Sequence, residues 1–201
     1  MIRLLLADDQ ALVRGALAAL LGLEPDLEVV AQVARGDEVL AAARAQPIDV
    51  ALLDVEMPGL DGIELCRQLT EAMPDVRSLI VTTFGRPGFL RRAVDAGASG
   101  FVVKDTPASE LAAAVRSVHA GIRVIDPTLA TESLLDGINP LTDREQDVLR
   151  VALTGVPVSE IAARMHLSHG TVRNYLSSAI GKTHTTARGE AAQVAQRRGW
   201  L

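Results

Sequence analysis

The chain of 201 residues carries 20 Lys and Arg against 25 Asp and Glu, for a net charge of −5, and is 48% hydrophobic but only 2% aromatic. A core of Leu, Val, Ile and Ala is expected, in one large domain or two small ones. The single cysteine, Cys66, excludes an internal disulfide and a cysteine-based zinc site; no apolar run approaches the roughly 18 residues of a membrane span, and Met1–Leu6 meets an acidic pair too early for a signal peptide, so a cytoplasmic protein without direct membrane insertion is expected.

The first 118 residues alternate two patterns. Short runs rich in Val, Ile and Leu at Ile2–Ala7, Glu28–Val33, Val50–Leu53, Ser78–Thr82 and Gly100–Val103 read as strands. Helical patterns lie between and after them, near 11–22, 37–45, 61–72, 87–96 and 108–120. In the last of these, Leu111, Ala114, Val115 and Val118 fall on one face. Five strand-then-helix units predict an α/β fold, a parallel sheet covered on both faces. Right-handed crossovers reduce the topologies to a flavodoxin-like five-stranded sheet.

Residues 119–138 read as a linker, with Gly121, Pro127 and Gly137 and no long amphipathic stripe, though a short helix around Leu129–Leu135 fits. From 139 onwards the pattern is helical, near 142–154, 158–165, 169–182 and 187–199, which predicts a small all-α domain. Charge divides the same way. Residues 1–118 hold eleven Lys and Arg against seventeen Asp and Glu, whereas 139–201 hold eight against five. An acidic front and a mildly basic back predict different partners for domains at 1–118 and 139–201.

The acidic residues fall at informative places. Asp8 and Asp9 follow the first predicted strand, Asp54 the third and Lys104 the fifth, while Thr82 ends the fourth. Sites in open parallel sheets form outside the carboxyl ends of strands, so these five side chains converge on one edge. Three clustered carboxylates raise one another's pKa, and a hard divalent cation relieves that repulsion. The Asp54 carboxylate is then placed as a nucleophile toward phosphorus, with Lys104 pairing the phosphoryl oxygens and the Thr82 hydroxyl donating to them. Each residue alone has a plainer reading: Asp8-Asp9 as a helix N-cap, Met57-Pro58-Gly59 as a turn, Lys104 as a solvated charge, Thr82 as a β-branched strand residue.

In the rear domain, Thr142 followed by Glu145 is a capping box. Ser159 or its neighbour is expected to cap the helix that opens at Val158. Met165–Ser168 supplies a tight turn, and Ser168 caps a longer helix beginning near Gly170. Two helices joined this way form a helix-turn-helix unit, whose second helix enters the major groove. Val172, Leu176 and Ile180 recur at helical spacing and face the core. Arg173, Asn174 and Ser177 point away; Arg173 suits guanine and Asn174 adenine, while Thr171 and Tyr175 suit phosphate. A helical hairpin for protein contact satisfies the same pattern.

Residues 1–120 resemble the receiver domain of two-component response regulators. The matching pieces are Leu6-Ala7-Asp8-Asp9, Leu53-Asp54-Val55-Glu56-Met57-Pro58-Gly59-Leu60-Asp61-Gly62, Val81-Thr82-Thr83 and Gly97-Ala98-Ser99-Gly100-Phe101-Val102-Val103-Lys104. The resemblance implies Asp54 as phosphoacceptor from a sensor histidine kinase. It implies Mg2+ bound by Asp9, Asp54 and the backbone carbonyl of Glu56, with Asp8 in support. It also implies a switch pair, Thr82 and Phe101, with Phe101 standing where many relatives have Tyr. Residues 141–191 resemble the LuxR/NarL-type helix-turn-helix domain, through Leu141-Thr142, Arg144-Glu145, Val148-Leu149, Gly155, Glu160-Ile161-Ala162, Leu167-Ser168, Thr171-Val172-Arg173, Lys182 and Arg188 with Glu190-Ala191. There the resemblance implies DNA binding through Arg173, Asn174, Ser177, Thr171, Tyr175 and Lys182. The Arg173-Asn174-Tyr175-Leu176 stretch and the loop Thr83–Gly88 are similar to the DesR-type subgroup.

One departure stands out. Relatives carry a Gly shortly after the position of Lys182, closing the recognition helix, whereas here the run is Thr183-His184-Thr185-Thr186-Ala187. A left-handed cap costs more without Gly, so a different helix end or a less stable domain is expected. The function expected is that of a DNA-binding transcriptional regulator, not an enzyme. Phosphorylation promotes a homodimer that addresses paired half-sites about 10 bp apart, or a multiple of that. The alternative is an orphan DNA-binding regulator that works without phosphate. A dehalogenase-type phosphotransferase fits less well: its acid/base Asp is Glu56 here, and the loops are too short for a cap.

Overall fold

A computed structural model describes residues 1–83, 87–126, 130 and 139–201, in two compact units treated separately below. The first unit has strands β1 (Ile2–Ala7), β2 (Leu27–Val33), β3 (Val50–Leu53), β4 (Arg77–Thr82), β5 (Gly100–Val103) and β6 (Val124–Ile125). Its helices are α1 (Ala11–Leu21), α2 (Gly36–Ala45), α3 (Gly62–Ala72), α4 (Pro87–Asp95) and α5 (Ala108–His119). The sheet is parallel, in the order β2-β1-β3-β4-β5-β6. The predicted flavodoxin-like order is present with one strand more than expected. β6 falls inside the stretch read as linker and pairs Val124 with Gly100 and Ile125 with Phe101. The helix expected around 129–135 and residues 84–86 of the loop before α4 lie outside the described residues.

Strand side chains alternate between two cores, as a pleated sheet requires. Leu5, Ala7, Leu53, Ile80 and Phe101 pack with α2, α3 and α4 on one face. Leu4, Leu6, Leu52, Leu79 and Val81 pack against Leu21 of α1 and Leu111, Val115 and Val118 of α5 on the other. Burial on both faces explains why β3 and β4 read as continuous apolar runs. The short strands all end at the same edge, which brings the loops after β1, β3, β4 and β5 together.

The second unit is all helical: α6 (Asp143–Ala152), α7 (Val158–Met165), α8 (His169–Thr183) and α9 (Arg188–Arg197). Leu149, Ile161, Val172, Leu176, Ala179 and Ala192 form its core, with the Trp200 ring. The capping box at α6 is present: Thr142 Oγ1 accepts from Glu145 N, and the Glu145 carboxylate accepts from Thr142 N. At α7 the expected Ser159 cap is not used. Pro157 occupies the N-cap without a side-chain hydrogen bond, and the helix opens at Val158. Val172, Leu176 and Ala179 are buried, while Ile180, also expected in the core, is half-buried. No helix among the described residues is long and apolar enough to cross a membrane.

Candidate functional site

The ends of β1, β3, β4 and β5 build one acidic pocket. The ladder continues one residue past the strands: Asp54 N donates to Ala7 O at 2.9 Å, and Lys104 N to Thr82 O at 2.8 Å. These bonds fix where the side chains begin. One carboxylate oxygen from each of Asp8, Asp9 and Asp54 lies within 4.8 Å of the others. Asp8 and Asp54 are buried and Asp9 is exposed. Lys104 Nζ sits between the buried pair, 2.7 Å from Asp8 Oδ2 and 2.9 Å from Asp54 Oδ2.

The electrostatics follow from this geometry. Burial pushes the Asp54 carboxyl above its ordinary value; the Lys104 contact pulls it down, and Asp8 pushes it further up. For the Lys104 ammonium burial acts downward, but its bonds to Asp8 and Asp54 prevail and raise it. One ammonium does not balance three carboxylates. The donor set is oxygen-only and carboxylate-rich, which fits a hard divalent cation such as Mg2+.

Neighbouring loops are tied to the pocket by hydrogen bonds and close backbone approaches. Asp8 Oδ1 accepts from Gln10 N at 2.8 Å, so Asp8 supports the turn into α1 while Gln10 holds the N-cap position. The Asp61 carboxylate caps α3 by accepting from Ile63 N at 3.0 Å and Glu64 N at 2.8 Å. Gly62 lies so close to the chain that a Cβ there would stand 1.9 Å from Asp54 O. Gly36 N donates to Pro58 O at 3.0 Å, and a Cβ on Gly36 would stand 2.0 Å from Leu60 O. Pro58 and Gly59 lie in a bend, with Gly59 at φ 87°. Glu56 is exposed within this same loop. Thr82 and Phe101 are buried, 2% and 1% exposed, on adjacent strands. Sequence reasoning missed Arg14, whose Nη1 donates to the Asp8 carbonyl and ties α1 to the acidic loop. It is the one charged residue of α1, which was the available signal.

In the second unit, α7 and α8 form the expected helix-turn-helix. His166 ends α7 in the left-handed conformation (φ 54°). Ser168 Oγ caps α8 by accepting from Thr171 N at 3.0 Å and also meets Thr171 Oγ1 at 2.8 Å. Arg173, Asn174 and Ser177 are exposed, whereas Thr171 and Tyr175 are half-buried. Lys182 is placed differently from the rest: its Nζ is 2.7 Å from Glu145 Oε2. Burial acts upward on the Glu145 carboxyl, but hydrogen bonds from Lys182, Ser178 and Thr142 bring it down to about 2. α8 ends in a left-handed cap after all, taken by His184 at φ 53°. His184 N bonds to Gly181 O and Thr185 N to Ile180 O, the pattern a Gly usually supports.

Comparisons with known proteins meet both units. Residues 4–116 match the family described as "Response regulator receiver domain", and residues 139–195 match "Bacterial regulatory proteins, luxR family". The chain is 42% identical to the "Uncharacterized transcriptional regulatory protein YvfU" and 40% identical to the "Transcriptional regulatory protein DesR", both of Bacillus subtilis, over the whole of both chains in each case. Among solved structures, the response regulator ChrA of a heme-sensing two-component system aligns with a TM-score of 0.60 at 32% identity, covering 100% of this chain and 98% of that one. An RcsB–DNA complex aligns with a TM-score of 0.68 over 98% of each chain; at 22% identity it speaks to the fold alone.

Proposed function

The chain belongs to the two-component response regulators that join a receiver to a LuxR-family DNA-binding domain, and from that premise we propose that Asp54 is the phosphoacceptor whose state governs DNA binding by α8. A carboxylate oxygen of Asp54 forms a bond to phosphorus as the P–N bond to the kinase's histidine breaks. Asp9, Asp54 and the carbonyl of Glu56, supported by Asp8, would hold Mg2+, which neutralises charge on the phosphoryl oxygens. Lys104 turns from the carboxylates to the phosphoryl group, and the Thr82 hydroxyl donates to it. Thr82 movement then lets Phe101 repack, which biases the receiver toward a homodimer.

Two tethered copies of the helix-turn-helix address paired half-sites of promoter DNA. Arg173 and Asn174 read bases, with Ser177 beside them and Thr171 and Tyr175 toward the backbone; Lys182, expected among these contacts, is paired with Glu145 instead. The chain acts as a regulator rather than an enzyme, in the cytoplasm, beside its sensor kinase. The observation that carries the reading is the meeting of Asp8, Asp54 and Lys104 at 2.7 Å and 2.9 Å from residues far apart in sequence. The test is phosphoryl incorporation from acetyl phosphate with Mg2+, followed by gel filtration and DNA binding. Wild type is expected to take one phosphoryl group and dimerise, and Asp54→Asn to do neither. Equal dimerisation and DNA binding by both proteins would refute phosphate control.

A further inference from the structure

A lysine on the last turn of a recognition helix is naturally counted among phosphate contacts. In this chain the ammonium of Lys182 already has a partner. Its Nζ is 2.7 Å from Glu145 Oε2, which also accepts from Thr142 N at 2.7 Å. The other oxygen, Oε1, accepts from Ser178 Oγ at 2.6 Å. Glu145 is 4% exposed. It is therefore a buried carboxylate with both oxygens satisfied, two of its three donors coming from α8. Ser178 and Lys182 are one helical turn apart, and Asn174 stands one turn further toward the N-terminus on the same stripe.

We infer that Glu145 and Lys182 are positioning residues for DNA recognition: together with Ser178 they fix the rotation of α8 on α6, and Lys182 makes no phosphate contact. The inference rests on the reading that α8 faces DNA. Its physical basis is the asymmetry of buried charge. Using Lys182 on a phosphate would strip Glu145 of its only cation among the described residues, and an uncompensated buried carboxylate is costly. Two rungs from one carboxylate also set the angle at which Asn174 and Arg173 leave the helix. The same lysine would otherwise be expected to add to affinity whatever the sequence.

The two roles separate in the salt dependence. Each phosphate contact contributes about 0.9 to the slope of log K against log salt. The full chain is titrated against a mixed-sequence duplex and against a duplex selected by the wild-type protein from a random pool. Arg173→Met is expected to weaken the selected duplex more than the mixed-sequence one, because Arg173 reads a base. Lys182→Gln is expected to leave the slope unchanged on both duplexes, while affinity for the selected duplex falls about tenfold. Glu145→Gln is expected to lose a similar factor, and the double variant no more than the worse single one, because both act through one strut.

A fall of about 0.9 in the Lys182→Gln slope, or independent additive losses, overturns the inference. Should Glu145→Gln fail to fold by circular dichroism, the Lys182→Gln slope decides alone. The two readings fail separately: if the wild-type protein selects no sequence, the DNA reading itself falls, whereas a slope loss in Lys182→Gln leaves DNA binding intact and removes only the positioning role.

Discussion

Replacing His184 with Gly is expected to stabilise the DNA-binding unit. His184 holds φ 53° and ψ 42°, the left-handed region, where a side chain costs about 1–2 kcal/mol. Glycine removes that cost but enlarges the entropy of the unfolded chain by about 0.4–1 kcal/mol. The ring is exposed, so little packing is lost. The net gain is about 1 kcal/mol, and in a unit this small it raises Tm by about 4–8 °C. The assay reports on this unit alone, because the chain has a single Trp, and Trp200 is 5% exposed in the helical core. Thermal and urea unfolding followed by its fluorescence should shift upward with an unchanged m-value. His184→Ala serves as the control: it removes the ring but keeps the left-handed strain, so it should give no such gain. An unchanged or lower Tm for His184→Gly, or an equal gain for His184→Ala, would refute the claim that this cap is strained.

Two further outcomes test the other sites. Gly62→Ala places a Cβ 1.9 Å from the Asp54 carbonyl, so the loop bearing Asp54 must move; a loss of about 2–3 kcal/mol is expected, with acetyl phosphate labelling reduced at least about tenfold. Wild-type labelling and stability would show that the close approach has no bearing on the pocket. Acid tests Glu145: its folded pKa of about 2 lies below the ordinary 4.5, so its contribution is complete above that value and lost as pH falls toward 2. The shift corresponds to about 3 kcal/mol, and Glu145→Gln should flatten the acid limb of Trp200 unfolding. Asp26 and Asp49, also held at about 2, belong to the first unit, whereas Trp200 reports on the second. An unaltered acid limb would mean that another group controls it.

Much of this was legible in the residues because it is local or periodic. The five longer strands are apolar runs bounded by breakers, and parallel topology sends their ends to one edge, so Asp8, Asp54 and Lys104 could be grouped before any distance was known. The caps at Thr142 and Ser168 follow from side chains that reach only three residues along the chain. β6 was not legible: two residues are too short for periodicity, and they become a strand only because β5 offers a free edge. Nor was the Pro157 start of α7, where φ is fixed near −67° and no side chain caps the helix. Gly36 and Gly62 look like ordinary loop glycines until the chain they touch is known.

Lys182 shows the same boundary at a functional position. Its charge and its place on a recognition helix are written in the sequence, but its partner, Glu145, is 37 residues away. A cation's role depends on which anion reaches it first, and that is a tertiary fact. The acidic pocket is robust to this difficulty because its side chains sit at or just past strand ends, and the sheet fixes all of them at once. The recognition helix is one element whose rotation depends on a few distant contacts. Under the proposal that α8 reads DNA, the buried Glu145 carboxylate that holds it in two places is where a change outside the DNA face alters which bases are read.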